Sequence, residues 1–249
     1  MMDGTAVVEL SARLARPIVV RVNGVEHLPG SNSDGAWALA DLPEPEHLPK
    51  TLTFGTLAGL VGYVRGNHDG IVLDQLLLHV EGPASVLLLG PLAGHFRQRA
   101  ILAEANLEAF GWKPMAFGQW TDLESFVIAV QAGMVDTKER AALLKLLGNV
   151  KDEAVRQTSD DGVTQTVVAK QGAALVADVP VPNPVVLAPY RTFMEVEQPV
   201  SRFVLRLRTG GPQVALFEAD GGAWKLEAVK RVAAHLTEAV KDLGVAVVA

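Results

Sequence analysis

Asp160, Asp161, Glu218 and Asp220 are the residues whose types and local sequence could do metal chemistry. They fall in two short steps, Asp160-Asp161-Gly162 and Glu218-Ala219-Asp220-Gly221, each beside a run that reads as a strand. Carboxylate pairs at strand ends can hold Mg²⁺ where they converge, because hard divalent cations take oxygen ligands and bridge attacking and leaving oxygens. The plainer reading is that both Asp-Gly steps are turns, with Asp tolerating the local geometry and Gly the positive φ. Neither a third ligand motif nor a lysine base at nuclease-like spacing accompanies them, so the turn reading is preferred.

A second constellation is cationic. Arg191, Arg202, Arg206 and Arg208 could form a phosphate-binding face, because a guanidinium presents a planar fork that matches phosphate oxygens two at a time. Tyr190 and Phe193 flank Arg191 and could stack on bases. The competing reading is a solvated strand face whose arginines pair with Glu195 and Glu197 on the neighbouring strand. The EVEQ segment supplies that compensating charge at a matching spacing, which favours the structural reading.

Other chemistries find less support. His27, His47, His68, His79, His95 and His235 are scattered, without the close spacing that a histidine metal centre needs. There is no GxSxG step, and GPLAGHF lacks the Gly-Lys-Ser/Thr ending of a phosphate loop. Gly221-Gly222 ahead of a helix could hold an anion on free N–H groups, although such glycines more often only let the chain turn. The absence of cysteine removes disulfides, thiolate catalysis and cysteine-based metal sites together. No cofactor is expected.

The elements that must carry these residues are short strands and amphipathic helices. In 202–208, Phe203, Leu205 and Leu207 share one parity while Arg202, Val204, Arg206 and Arg208 share the other, the pattern of a half-buried strand. Asp161-Gly162 predicts a hairpin joining 155–159 to 163–169, and Asn23-Gly24 predicts another over 18–28. Four prolines between 179 and 189 demand an extended crossing or edge, since proline lacks the N–H a central strand must donate. Val229, Val232, Ala233, Leu236, Val240 and Leu243 form one helical stripe, with Glu227 and Arg231 paired on its wet side and Gly244 as a stop. That helix is expected to close over the strand block.

Earlier in the chain, Val7, Leu10 and Leu14 have helical spacing, and 42–49 reads as a proline-containing linker. Thr53 is a candidate cap for a helix carrying Phe54, Leu57, Leu60, Val61 and Val64; its Gly55, Gly59 and Gly62 imply close packing. A second hairpin over 76–89, turning at Gly82-Pro83, reads as covered on both faces, with a third strand over 97–104. Phe110 to Trp120 reads as a loop and domain junction. Thr121 to Glu124 has capping-box spacing and Asp136 to Glu139 repeats the signal, so two helices follow as a hairpin.

Composition bounds the partners. The 249 residues are 49% hydrophobic and 20% charged, which makes the chain globular rather than disordered. A formal charge of −6 argues against a general nucleic-acid coat but leaves room for a local basic face. No secretory leader is evident and no apolar run approaches the ~18 residues of a membrane span, so a cytoplasmic protein with no membrane partner is expected.

The segments TDLESF, LLKLLGNVKDEAV, DDGVTQ, VPNPVVLAPYRTF, EVEQPVSRFVLRLR and ALFEADGGAW together resemble the YfdQ-like family of phage and prophage proteins, a domain of unknown function. The likeness is specific from about residue 120 to 226, and the N-terminal half is similar only in layout. It implies a viral or prophage origin, with the host-cell cytoplasm as its setting, and brings no catalytic residues to carry over. The expected fold is α+β, with mostly antiparallel sheets and helices packed on one side, in sub-regions 1–118 and 119–249. The function expected first is a non-enzymatic phage accessory protein that acts as a homo-oligomer or through partner contacts. A replication or recombination factor binding single-stranded nucleic acid through the arginines comes second, and a metal-dependent hydrolase third.

Overall fold

A computed structural model of the chain describes residues 20–22, 25–27, 30–31, 37–38, 50–93, 97–148, 150–156, 166–171, 174–180, 183–208 and 213–249. The chain divides into two compact units, residues 1–50 with 92–100, and residues 51–91 with 101–249. Both sides of residue 118 therefore belong to the second unit. In the first unit β1 (Val20–Val22) and β2 (Val25–His27) pair antiparallel with Val22 opposite Val25, as an Asn-Gly hairpin requires. β3 (Gly30–Ser31) pairs in the same sense with β4 (Trp37–Ala38). The helical reading of 7–14 and the linker at 42–49 lie outside the described residues.

From residue 51 the chain forms β5 (Leu52–Phe54), α1 (Leu57–Gly66), β6 (Leu77–Gly82), β7 (Ser85–Ala93) and β8 (Gln98–Asn106), with the ends of the last two, 92–93 and 98–100, assigned to the first unit. Next come β9 (Thr121–Asp122), α2 (Leu123–Gly133), α3 (Lys138–Gly148), β10 (Val150–Arg156), β11 (Thr166–Gln171) and β12 (Ala174–Pro180). The chain closes with β13 (Val185–Leu187), β14 (Ser201–Arg208), β15 (Gln213–Glu218), α4 (Ala223–Ala239) and β16 (Ala246–Val248). Helices and mostly antiparallel sheets make this an α+β fold, as the sequence predicts.

A five-stranded sheet in the order β16-β6-β7-β8-β5 carries the first core. Its centre is the antiparallel β6–β7 hairpin, while β16 joins β6, and β5 joins β8, in parallel. Leu78, Val80, Val86 and Leu88 are buried on one face against Leu57, Leu60 and Val64 of α1 and Val232 and Leu236 of α4. The expectation of strands covered on both faces is corrected here. Leu77, His79, Leu87 and Leu89 point the other way and stay half-buried, because both helices pack on one side.

The start of α1 is also revised. Thr53 and Phe54 belong to β5, and Thr56, in extended backbone, caps the helix by accepting from Gly59 N–H at 3.0 Å. Phe54 and Leu57 mimic helical spacing across a strand-to-helix turn. Gly55 and Gly59 do meet close neighbours, since an added Cβ would stand 3.1 Å from the Phe110 ring and 3.0 Å from Phe54. Gly62 faces open space.

The second core lies under a four-stranded sheet, in the order β13-β14-β15-β9, covered on one face by α2 and α3. Phe203, Leu205 and Leu207 are at most 3% exposed and meet Phe126, Val130 and Leu143, which confirms the parity read from the sequence. α2 is capped by Asp122, whose Oδ1 accepts from Ser125 N–H at 2.9 Å, rather than by the Thr121–Glu124 box. Thr137 Oγ1 likewise accepts from Arg140 N–H at 3.1 Å ahead of α3.

A third sheet, the antiparallel meander β10-β11-β12, lies between α3 and β13 in sequence. Arg156 pairs with Thr166, so these are the strands the expected hairpin was to join, although the Asp161-Gly162 step lies outside the described residues. β12, which ends at Pro180, and β13, which lies between Pro184 and Pro189, both take sheet edges.

α4 does not close over the strand block. Its stripe of Val232, Leu236 and Val240 seals the first core instead. The reason is occupancy: the apolar face of β14 is already taken by α2 and α3. Glu227 and Arg231 form the expected pair, with Nε donating to Oε1 at 2.9 Å.

Leu205→Ala is expected to lower stability by ~2–5 kcal/mol, because Leu205 has no exposed surface and the core around it is closed. Thermal or denaturant melting checks this, and an unchanged midpoint would contradict the packing of β14.

Candidate functional site

The segment from Ala188 to Val200 sets the site. Val135 N–H donates to Ala188 O and Tyr190 N–H to Gly133 O, both at 2.9 Å, which ties the segment to the end of α2. The turn that follows is held by one buried amide. Gln198 Oε1 accepts from Arg191 N–H at 2.9 Å and Thr192 N–H at 3.2 Å, and its Nε2 donates to Phe193 O at 3.0 Å. Satisfying these backbone groups with a side chain lets an irregular loop be buried.

This loop delivers Arg191 into an aromatic box. The side chain is 2% exposed, and its guanidinium carbon lies 4.4 Å from the Trp224 ring centre and 5.2 Å from those of Phe117 and Phe203. Nη1 donates to Glu218 Oε1 at 2.7 Å. Burial pushes the Arg191 pKa down, while the charges of Glu218 and Asp220 work in the opposite direction. Arg191 Nε and Nη2, Ser201 Oγ, Asp220 Oδ2 and Trp224 Nε1 are buried without a hydrogen bond of acceptable geometry. The cluster is thus polar, enclosed around Arg191 and open to solvent at Glu218, and its members depend on each other electrostatically.

Asp220 sits at the entry to α4. Burial alone would raise its pKa, but the nearby Ser201 hydroxyl, a 3.0 Å bond from Gly222 N–H and the Arg191 charge outweigh that, and the carboxyl lies below its ordinary range. Gly221 and Gly222, at φ +63° and +82°, turn the chain into the helix, so the Asp220-Gly221 step is a turn. Asp220 itself occupies the N-terminal position that an external anion would need.

The structure separates the sequence-derived candidates. Arg191 lies among core aromatics on the Phe203 side of β14, whereas Arg202, Arg206 and Arg208 lie on the opposite face. Tyr190 is half-buried beside the end of α2, and Phe193 is fully buried in the first core, so neither flanks the strand arginines. Glu218 and Asp220 do converge, but on a guanidinium, which repels a divalent cation. Asp160 and Asp161 lie outside the described residues. Among the described residues no group of three or more metal-ligating side chains comes together.

The expected pairing of Glu195 and Glu197 with the strand arginines is replaced. Glu197 meets Arg231 of α4 at 3.1 Å, and Glu195 Oε1 accepts from Ala58 N–H at 3.2 Å in α1. Their segment folds toward the first core, carrying Phe193 and Val196 inside, and never runs as a strand beside β14. The arginine face is instead flanked by aromatics that the sequence reading did not place there. Arg208 stacks over Trp120 at 3.8 Å, and Trp120 meets Phe217 edge-on at 6.2 Å. The parity of β15 could have revealed Phe217; Trp120 depends on a loop whose path no periodicity shows.

A cleft between the end of α1 and Leu88 of β7 is lined by Tyr63, His68, Asp69 and Ile71. Tyr63 Oη donates to Asp69; that bond, with burial and the Asp69 charge, pushes the phenol up to about 12. The contact braces the left-handed turn at Asn67.

No family model, no curated protein and no solved structure matches this chain.

Two outcomes follow for the buried cluster. Glu218→Ala is expected to cost about 1.5–3 kcal/mol in denaturant melts, because it leaves a buried cation without its charge-assisted bond. Asp220, whose pKa is lower folded than unfolded, contributes stability at neutral pH that fades as pH falls through the carboxylate range. Asp220→Asn should therefore lower stability at pH 7 and shallow the loss between about pH 5 and 2, as pH-dependent melting would record.

Proposed function

We propose that this chain is a non-enzymatic accessory protein of phage or prophage origin, working in the host cytoplasm through contacts with copies of itself or a partner protein. The observation that carries the reading is the second face of the five-stranded sheet. Register aligns Val248, His79 and Leu87 in one row, and Ala246, Leu77 and Leu89 in the next. α1 and α4 pack on the opposite face, leaving these rows half-buried or exposed, with Val248 43% exposed. Adjoining apolar residues of this kind on a sheet face mark protein contact surfaces.

The origin rests on the resemblance of residues 120–226 to the YfdQ-like family. No helix among the described residues is long and apolar enough to cross a membrane. The commitment of Glu218 and Asp220 to Arg191 and the α4 turn supports a reading without metal chemistry there.

Size exclusion with light scattering tests the proposal. The parent chain is expected to run as an oligomer, and Leu87→Glu with Val248→Glu to shift it to monomer mass while circular dichroism is unchanged. A monomeric parent at every concentration, or an oligomer indifferent to both changes, rejects self-association through this face.

A further inference from the structure

We propose that the outer face of β14 and β15 binds single-stranded nucleic acid, with Trp120 and Phe217 as stacking platforms and Arg202, Arg206 and Arg208 as phosphate contacts. This surface lies on a different sheet from the contact face proposed above and does not rest on that reading.

The alternation of β14 sends Arg202, Val204, Arg206 and Arg208 to one face, and pairing then fixes their neighbours. Arg208 stands opposite Gln213, Arg206 opposite Ala215 and Val204 opposite Phe217. On the far edge of β15, Thr121 pairs with Val214, so continuing that register sets Trp120 beside Ala215. Ala215 is fully buried although it belongs to the outer face, as a small residue between an indole and an arginine would be. The face therefore presents a row of Arg206, Ala215 and Trp120, with Phe217 and Arg208 on either side. Arg208 lies 3.8 Å over the Trp120 ring and Phe217 meets that ring edge-on, so both aromatics are held in place before any ligand arrives.

Charge decides the occupant. The chain is acidic overall, at −6, yet the outward positions of β14 and β15 carry three arginines and no carboxylate. Glu218 points to the opposite face, where it pairs with Arg191, and Asp122, at the rim, is engaged as the cap of α2. Alternate residues of a strand are about 7 Å apart, so Arg206 and Arg208 offer an extended backbone successive cationic contacts. A cationic face with aromatic rings suits a polyanion whose bases are unpaired: stacking needs an open base face, which a duplex hides. DNA and RNA single strands share this chemistry.

Fluorescence anisotropy with a labelled oligothymidylate of about 15 nucleotides, the matching oligouridylate and a blunt duplex tests the proposal. Both single strands are expected to bind ahead of the duplex, and the tighter of the two identifies the natural nucleic acid. Trp120→Ala should weaken binding about tenfold or more, with Trp120→Phe retaining most of it. Arg202→Gln with Arg208→Gln should flatten the slope of log K against log salt by about 1.4, because each phosphate left unneutralised on a single strand removes about 0.7. Thermal melts of each variant separate lost binding from lost fold. No binding by the parent at low salt, or folded variants that bind with unchanged affinity and salt slope, overturns the proposal.

Discussion

Arg191 places a charged group where only 2% of it reaches solvent, and much of the second unit is arranged around making that tolerable. Three aromatic rings reach it from separate places in the chain: Phe117 from the loop before β9, Phe203 from β14 and Trp224 from α4. Glu218, at the end of β15, supplies the counter-charge. Such a pair adds little net stability, because desolvating the arginine costs about what its attraction to the 40% exposed carboxylate returns. Its effect is on geometry. A guanidinium that must meet one carboxylate and three ring faces accepts very few arrangements of the segments carrying them.

Those segments join the two cores. Leu187 is buried under the second sheet, while Phe193 and Val196, a few residues on, are buried in the first core. The crossing between them is the loop pinned by Gln198, with Arg191 at its start. α4 leaves from the same place, since Trp224 touches the guanidinium in the helix's first turn and the stripe beyond seals the other sheet. The direction of α4, and so the closure of the first core, follows from how the cluster seats its beginning.

Local pattern was the readable part of the sequence. The parity of β14, the helical stripe of α4, the Glu227–Arg231 pair, the hairpin of β6 and β7 and the edge positions of the strands in the proline-rich stretch all follow from periodicity or backbone chemistry within a few residues. Destination was not readable. Amphipathic spacing in α4 says that one face must be buried but not beneath which sheet, and two apolar sheets were on offer. Arg191 looked like its neighbours Arg202, Arg206 and Arg208 because composition cannot distinguish a guanidinium under aromatic rings from one in water. Gln198, between charged and proline residues, gave no sign that its amide would replace missing backbone partners. The cap was missed by three residues at Thr56, because apolar spacing continued past the true helix start into β5, and by one at Asp122, because Thr121 and Glu124 also have capping-box spacing.

The parallel edges of the five-stranded sheet bear on the order in which the molecule can assemble. β6, β7 and β8 lie between residues 77 and 106, but β16, which borders β6, begins only at Ala246. Nearly everything in the second core lies between these points in sequence, nested inside the first. During synthesis from the N-terminus, the inner core can therefore be complete while the outer sheet still lacks an edge strand and its longest helix. Closing the outer core joins segments more than 130 residues apart, a long loop that becomes inexpensive to close only once the nested core has shortened it. Folding from the inside outward is the route this topology favours, with the last strand as the latch.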